Sequence, residues 1–154
     1  SHRSIGGCGE NMRALITIAL MLTVSPFVAT FTLICWKPDR WGDTLNPFAI
    51  LLMGYFGFLT FPGLFGYVLA IVTTPLVMSA VSKQKAFVSF SLPLLLSLAF
   101  FIGAVAGLSV MAPAIVRASR HGSLDLTLNW AVAGAVSGGV TLVLIAVVYR
   151  KLSQ

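Results

Sequence analysis

Four long apolar runs without a single charged residue constrain this chain more than any other feature. They cover residues 14–36, 47–82, 86–116 and 126–149, and all ten Lys and Arg and all four Asp and Glu lie outside them. About 20 apolar residues suffice for a helix to cross a hydrocarbon core about 30 Å thick, and a helix satisfies its own backbone there. The sequence therefore predicts an all-α, polytopic integral membrane protein built as a four-helix transmembrane bundle.

Composition and the first residues support a single domain in lipid. The chain has 154 residues, of which 58% are apolar and 9% charged, and its mean hydropathy is +0.97. These values leave too little polar surface for a water-soluble domain. We expect one transmembrane domain over residues 12–154. Residues 1–11 are polar and glycine-rich and precede Met12, so we expect a flexible leader or a remnant of cloning there.

The second run is too long for one straight crossing. Its 36 residues would form a helix of about 54 Å, well beyond the bilayer core. Pro62 and Gly63 are the natural break, because proline removes a backbone hydrogen bond and glycine loosens what remains. We expect residues 64–82 to make the crossing, and residues 47–60 to lie at the interface or to re-enter the membrane.

The basic residues divide unevenly between the two ends of such a bundle. Six lie on the side of the termini and four on the other: Arg3, Arg13, Lys83, Lys85, Arg150 and Lys151 against Lys37, Arg40, Arg117 and Arg120. The excess predicts that both termini face the cytoplasm, and we expect the inner (plasma) membrane of a bacterium. The net charge of +6 does not indicate nucleic acid, because the basic residues form no continuous stripe. Membrane lipids are the expected counterions.

The two loops at the other end share a pattern. Each carries two basic residues and then an aromatic or imidazole side chain and glycine: Lys37, Arg40, Trp41 and Gly42, and Arg117, Arg120, His121 and Gly122. Asn46 and Asn129 follow at the position of a helix N-cap. The pattern indicates either two hairpin repeats or the usual recurrence of turn and cap residues. Under either interpretation, the six basic, aromatic and imidazole side chains are candidates for contacts with a partner.

Small residues mark the surfaces where helices can approach closely. Gly103 and Gly107 are four residues apart in the third run, and Gly134 and Gly138 have the same spacing in the fourth. This spacing favours close packing of two helices in lipid. We expect the two faces to pack together within the chain. The alternative is an interface with a partner or a second copy.

The apolar runs lack the residues of most membrane chemistry. None contains Asp, Glu, Lys, Arg or His, which proton relays and ion coupling need at depth. We therefore expect no enzyme activity, no metal and no cofactor. His121 and its neighbours Ser119, Ser123 and Asp125 crowd one loop, where turn and cap roles explain them better than a catalytic triad.

Thr73 and Thr74, before Pro75, are the candidates for a solute path, although such hydroxyls usually bond to carbonyls one turn back. Taken together, these observations favour a non-enzymatic interaction protein with a protein partner or a second copy. Examples are an accessory subunit of a membrane complex and an immunity-type protein that binds a membrane-active toxin. The alternative is a small oligomeric channel or transporter for a neutral solute or ion.

Overall fold

The predicted all-α membrane bundle is confirmed. The computed structural model describes residues 4–36, 64–122 and 124–153. Its helices are α1 (Ser4–Trp36), α2 (Leu64–Ser82), α3 (Lys85–Ser89), α4 (Leu92–Arg120) and α5 (Leu124–Ser153). Within these residues, α1, α2, α4 and α5 are long and apolar enough to cross a membrane, whereas α3 is a single short turn.

The long helices alternate in direction, so the start of α1 and the ends of α2 and α5 meet at one end of the bundle. Nη2 of Arg13 donates to the carbonyl of Leu152 over 2.8 Å. Nζ of Lys83 lies 2.8 Å from a carboxylate oxygen of Glu10. We call this the basic end; the basic residues described there are Arg13, Lys83, Lys85, Arg150 and Lys151.

Two helix starts differ from the sequence expectation. Residues 4–11, for which we expected a flexible leader, instead continue α1 toward the basic end, where Glu10 contacts Lys83. Helix α5 begins at Leu124, so Asn129 lies inside the helix and is not its N-cap. The helix starts earlier because Asp125 stands in its first turn, where a carboxylate is favourable beside the exposed N–H groups.

The third predicted span, residues 86–116, is divided in the structure. Helix α3 ends at Ser89, and α4 starts at Leu92 after the extended N-cap Ser91. Pro93 explains the break, because proline suits the first turn of a helix but not its interior. The crossing is therefore shifted and runs to Arg120.

Helix α2 coincides with the predicted crossing at residues 64–82. The proposed kink at Pro62 and Gly63 lies outside the described residues, as does the segment 47–60.

Helices α4 and α5 are the most closely packed pair. Gly103 lies against Gly138, and Gly107 against Gly134, so that each backbone touches the other. A Cβ atom added to Gly103 would come within 2.8 Å of the Cβ of Leu142. Only glycine permits this approach. Helix α5 also packs against α1, whereas α2 packs less extensively against its neighbours.

We expect Gly103→Ala to lower the free energy of unfolding by about 1–3 kcal/mol, because the added methyl group overpacks the α4–α5 contact. Gly66→Ala is the matched control, since its Cβ would lie 3.6 Å from the Cα of Val110, an ordinary contact. That control should be neutral or stabilising by up to about 1 kcal/mol, from helix propensity. Reversible unfolding in detergent micelles measures both. Equal losses in the two variants would contradict the packing.

Candidate functional site in the interior and on two open faces of the bundle

Hydroxyl groups join the helices in the interior. Ser25 of α1 and Thr141 of α5 lie 2.8 Å apart between their oxygens. The Thr141 hydroxyl donates to the carbonyl of Ser137 over 2.6 Å, so its oxygen accepts the proton of Ser25. Tyr67 of α2 donates to the carbonyl of Met21 over 2.6 Å. These bonds tie α5 and α2 to α1 without any charge.

A cavity of about 80 Å³ lies between the four long helices, beside this network. Hydroxyl groups line it together with the glycines of α4 and α5; they belong to Ser25, Tyr67, Thr74, Ser137 and Thr141. Their protons are given to partners inside the bundle, so the hydroxyls present mainly acceptor lone pairs to the cavity. Such a space is large enough for a few water molecules. Its chemistry suits water or a small neutral donor.

The two threonines of the candidate solute path make bonds within their own helix. Thr73 donates to the carbonyl of Leu69 over 2.8 Å, and Thr74 to that of Ala70 over 2.6 Å. This is the usual behaviour of threonine in a membrane helix. Thr74 borders the cavity, whereas Thr73 does not.

An apolar groove of about 330 Å³ separates α2 from α4, and we call it the α2–α4 groove. Phe87, Phe90 and Gln84 border it at the basic end, and it reaches Thr74 and Ala106, which also line the cavity. This groove was not predicted from the sequence. Its signal was Pro93, because the break before α4 places Phe87 of α3 and the following Phe90 at the mouth.

A second open surface lies at the opposite end of α4. Its residues are exposed and recur every three or four positions, which places them on one side of the helix: Ser109, Ala112, Pro113, Val116, Arg117 and Arg120. We call it the Arg117 face. Pro113 has no N–H, so the carbonyl of Ser109 lacks its usual helical donor. The face thus combines small side chains, a backbone acceptor and two cations.

The predicted loop contacts are only partly described. Arg117, Arg120 and His121 are exposed at the end of α4, and Gly122 turns the chain toward α5 with a φ of +71°. Lys37, Arg40 and Trp41 lie outside the described residues. The structure therefore brings three of the six candidates together.

The part of the chain that the structure describes contains no candidate metal site. No three His, Cys, Asp or Glu side chains there are grouped closely enough to hold an ion. Cys8 and Cys35 are free thiols on the surface.

Two buried polar atoms were not foreseen from the sequence. Oδ1 of Asn129 and Nη1 of Arg150 have no hydrogen-bond partner among the described residues. A buried polar atom of this kind costs about 1–3 kcal/mol, and more when it is charged. No sequence pattern distinguishes Arg150 from the exposed Lys151 beside it, because burial of one atom depends on how the helices pack.

No protein-family model, characterised protein or solved structure matches this chain.

We expect the bond between Ser25 and Thr141 to couple α1 to α5 by about 0.6–1.7 kcal/mol, the range of interhelical hydrogen bonds in lipid. A double-mutant cycle with Ser25→Ala and Thr141→Val measures it through the free energy of unfolding in micelles. Thr23→Val is the control partner for Thr141→Val, because Thr23 donates to Ala19 of its own helix. A coupling as large in the control cycle would refute the bond.

Proposed function

We propose that this chain is a non-enzymatic interaction protein of the membrane, and that a partner helix binds the Arg117 face of α4. An accessory subunit of a membrane complex and an immunity-type protein against a membrane-active toxin both belong to this class. One observation carries the proposal: the Arg117 face brings small side chains, a backbone acceptor and two cations together on one exposed side of α4.

The glycine faces are unsuitable for a partner. Gly103 and Gly107 of α4 are covered by Gly138 and Gly134 of α5, so a partner could reach them only by separating two helices of the bundle. The interface that the sequence alternatively suggested at these glycines is thereby disfavoured. A partner must use a surface that is open in the folded chain.

The Arg117 face offers a transmembrane helix both close approach and polar contacts. Ala112 and Ser109 are small, which lets a second backbone come near. The carbonyl of Ser109 can accept a hydrogen bond from the partner, and such bonds contribute about 1–2 kcal/mol in lipid model systems. Arg117 and Arg120 stand at the end of the helix, where they can pair with an acidic side chain. We infer a partner helix with a polar donor and an acidic residue near that end.

We further propose that the protein lies in the inner membrane with both termini in the cytoplasm. By sequence, six of the ten basic residues fall on the side of the termini and four on the side of Arg117 and Arg120. The positive-inside rule then favours the basic end as the cytoplasmic one. The partner contact would lie toward the outer side of the membrane.

We expect the chain, extracted from its own membrane in mild detergent, to carry one foreign protein at fixed stoichiometry in native mass spectrometry. Ala112→Trp should remove that protein by steric clash, and Arg117→Glu should weaken its retention about tenfold or more by placing a carboxylate opposite an acidic residue. Val72→Trp is the control, because Val72 is an exposed residue of α2 away from this face.

Three results would contradict the proposed contact. They are a bare monomer from the native membrane, a homo-oligomer without a foreign chain, and equal loss of the partner in Val72→Trp and Ala112→Trp. Melting curves of the purified variants verify that each remains folded, so that loss of the partner is not confused with loss of the bundle.

A small channel or transporter is the second candidate, favoured by the hydroxyl-lined cavity. Thr74 stands where the cavity and the α2–α4 groove meet, so its hydroxyl would lie on any path that uses both. We expect proteoliposomes to conduct water or glycerol under this hypothesis, and Thr74→Val to lower the flux severalfold by removing an acceptor. Thr23→Val, on the surface of α1, should leave the flux unchanged. No flux across a panel of ions and neutral solutes would remove this candidate.

A further inference from the structure

A partner at the Arg117 face does not account for the α2–α4 groove or for the buried Nη1 atom of Arg150. Arg150 and the mouth of the groove lie toward the basic end of the bundle. The groove opens between α2 and α4, where α2 packs only loosely against its neighbours. Its walls are apolar side chains from α2, α3, α4 and α5. A volume of about 330 Å³ lies within the range of small-molecule pockets, about 300–1,000 Å³.

Arg150 lies one helical turn beyond the part of α5 that lines this groove. Leu142 and Ala146 of α5 line the groove, and Arg150 follows Ala146 by one helical turn on the same side of the helix. Phe87, which borders the mouth, packs in one buried cluster with Ala146. The guanidinium is therefore placed at the basic end of the groove, with Nη1 buried and unbonded in the part of the chain described.

Positive charge accumulates around the same mouth. Lys83 and Lys85 flank Gln84, which lines the groove, and both lysines are exposed. Lys83 is paired with Glu10, whereas Lys85 is available to a ligand. An apolar groove that ends at basic side chains is complementary to an amphiphile with an anionic headgroup and an apolar tail.

We propose that the α2–α4 groove binds an anionic phospholipid, with one acyl chain between the helices and its phosphate on Arg150 and Lys85. The ligand belongs to the leaflet at the basic end. Arg150 is half-buried, so the accessible part of its guanidinium can bond a phosphate, which a guanidinium suits in geometry as well as in charge. Lipid of this kind fills the gap that the weak packing of α2 leaves.

The headgroup determines the selectivity of this site. An acyl chain gains little by moving from the bilayer into an apolar groove, because both environments are equally apolar. The charge-assisted contacts at the mouth therefore distinguish bound lipid from the surrounding lipid. The site selects for negative charge and tolerates differences in chain length.

Native mass spectrometry of the whole purified chain, titrated in detergent with dioleoyl phosphatidylglycerol, tests the site. Dioleoyl phosphatidylcholine is the comparison lipid. We expect one phosphatidylglycerol molecule to bind at least about tenfold more tightly than phosphatidylcholine, and Arg150→Gln to abolish this preference. Lys151→Gln removes the same charge from the neighbouring exposed position and should preserve it.

A second pair of variants tests the groove itself. Val77 and Val72 are both on α2 and both 57% exposed, but Val77 lines the groove and Val72 does not. Val77→Trp should weaken phosphatidylglycerol binding about tenfold by filling the groove, and Val72→Trp should not change it. Because both positions are exposed, the bulk of tryptophan is tolerated without repacking of the interior.

Four outcomes would overturn the lipid site: equal retention of the two lipids, equal loss in Lys151→Gln and Arg150→Gln, equal loss in the two tryptophan variants, or a protein chain in the groove in place of lipid. The last would appear as a foreign mass that Val77→Trp removes. Failure of this test leaves the partner proposal untouched, because that contact is measured at Ala112 and Arg117 at the other end of α4.

Discussion

The backbone contact between α4 and α5 is the constraint on which the rest of the bundle depends. Lipid offers helices little hydrophobic gain from associating, so close packing and internal hydrogen bonds must hold them together. Four glycines, Gly103, Gly107, Gly134 and Gly138, provide that approach. Thr141 lies near the same side of α5 as Gly134 and Gly138, and its bond with Ser25 joins α1 to this pair of helices. Tyr67 joins α2 to α1 by its bond to Met21.

These contacts between the helices explain why the open surfaces lie where they do. The small residues that could have bound another protein are used within the chain, and the two open surfaces described above lie toward the two ends of α4. At one end Pro113 and Arg117 offer contacts suited to a helix. At the other, a break before Pro93 and loose packing of α2 create the α2–α4 groove. The two proposals of partner and lipid therefore rest on separate consequences of the same arrangement.

Hydropathy and length predicted the spans, because both properties can be evaluated for one segment without knowing how the segments pack together. Length showed that the 36-residue second run is too long for one crossing, Pro62 and Gly63 placed the division, and α2 coincides with the expected crossing. The break before α4 was missed because Pro93 was assigned to the helix interior, although its sequence context also suits a helix start. Arg150 could not be distinguished from Lys151, since burial of its Nη1 atom depends on how the helices pack around it.

The attachment of α2 gives the bundle uneven local stability. Two described polar contacts hold α2 to α1: Tyr67 bonds to Met21, and Lys83, directly after α2, pairs with Glu10. Neither contact involves the glycines of α4 and α5. Separation of a loosely packed element requires less free energy than global unfolding. An outward movement of α2 would join the 80 Å³ cavity to the groove while α4 and α5 stayed together. The size of the space between the four long helices therefore depends more on the position of α2 than on that of α4 or α5.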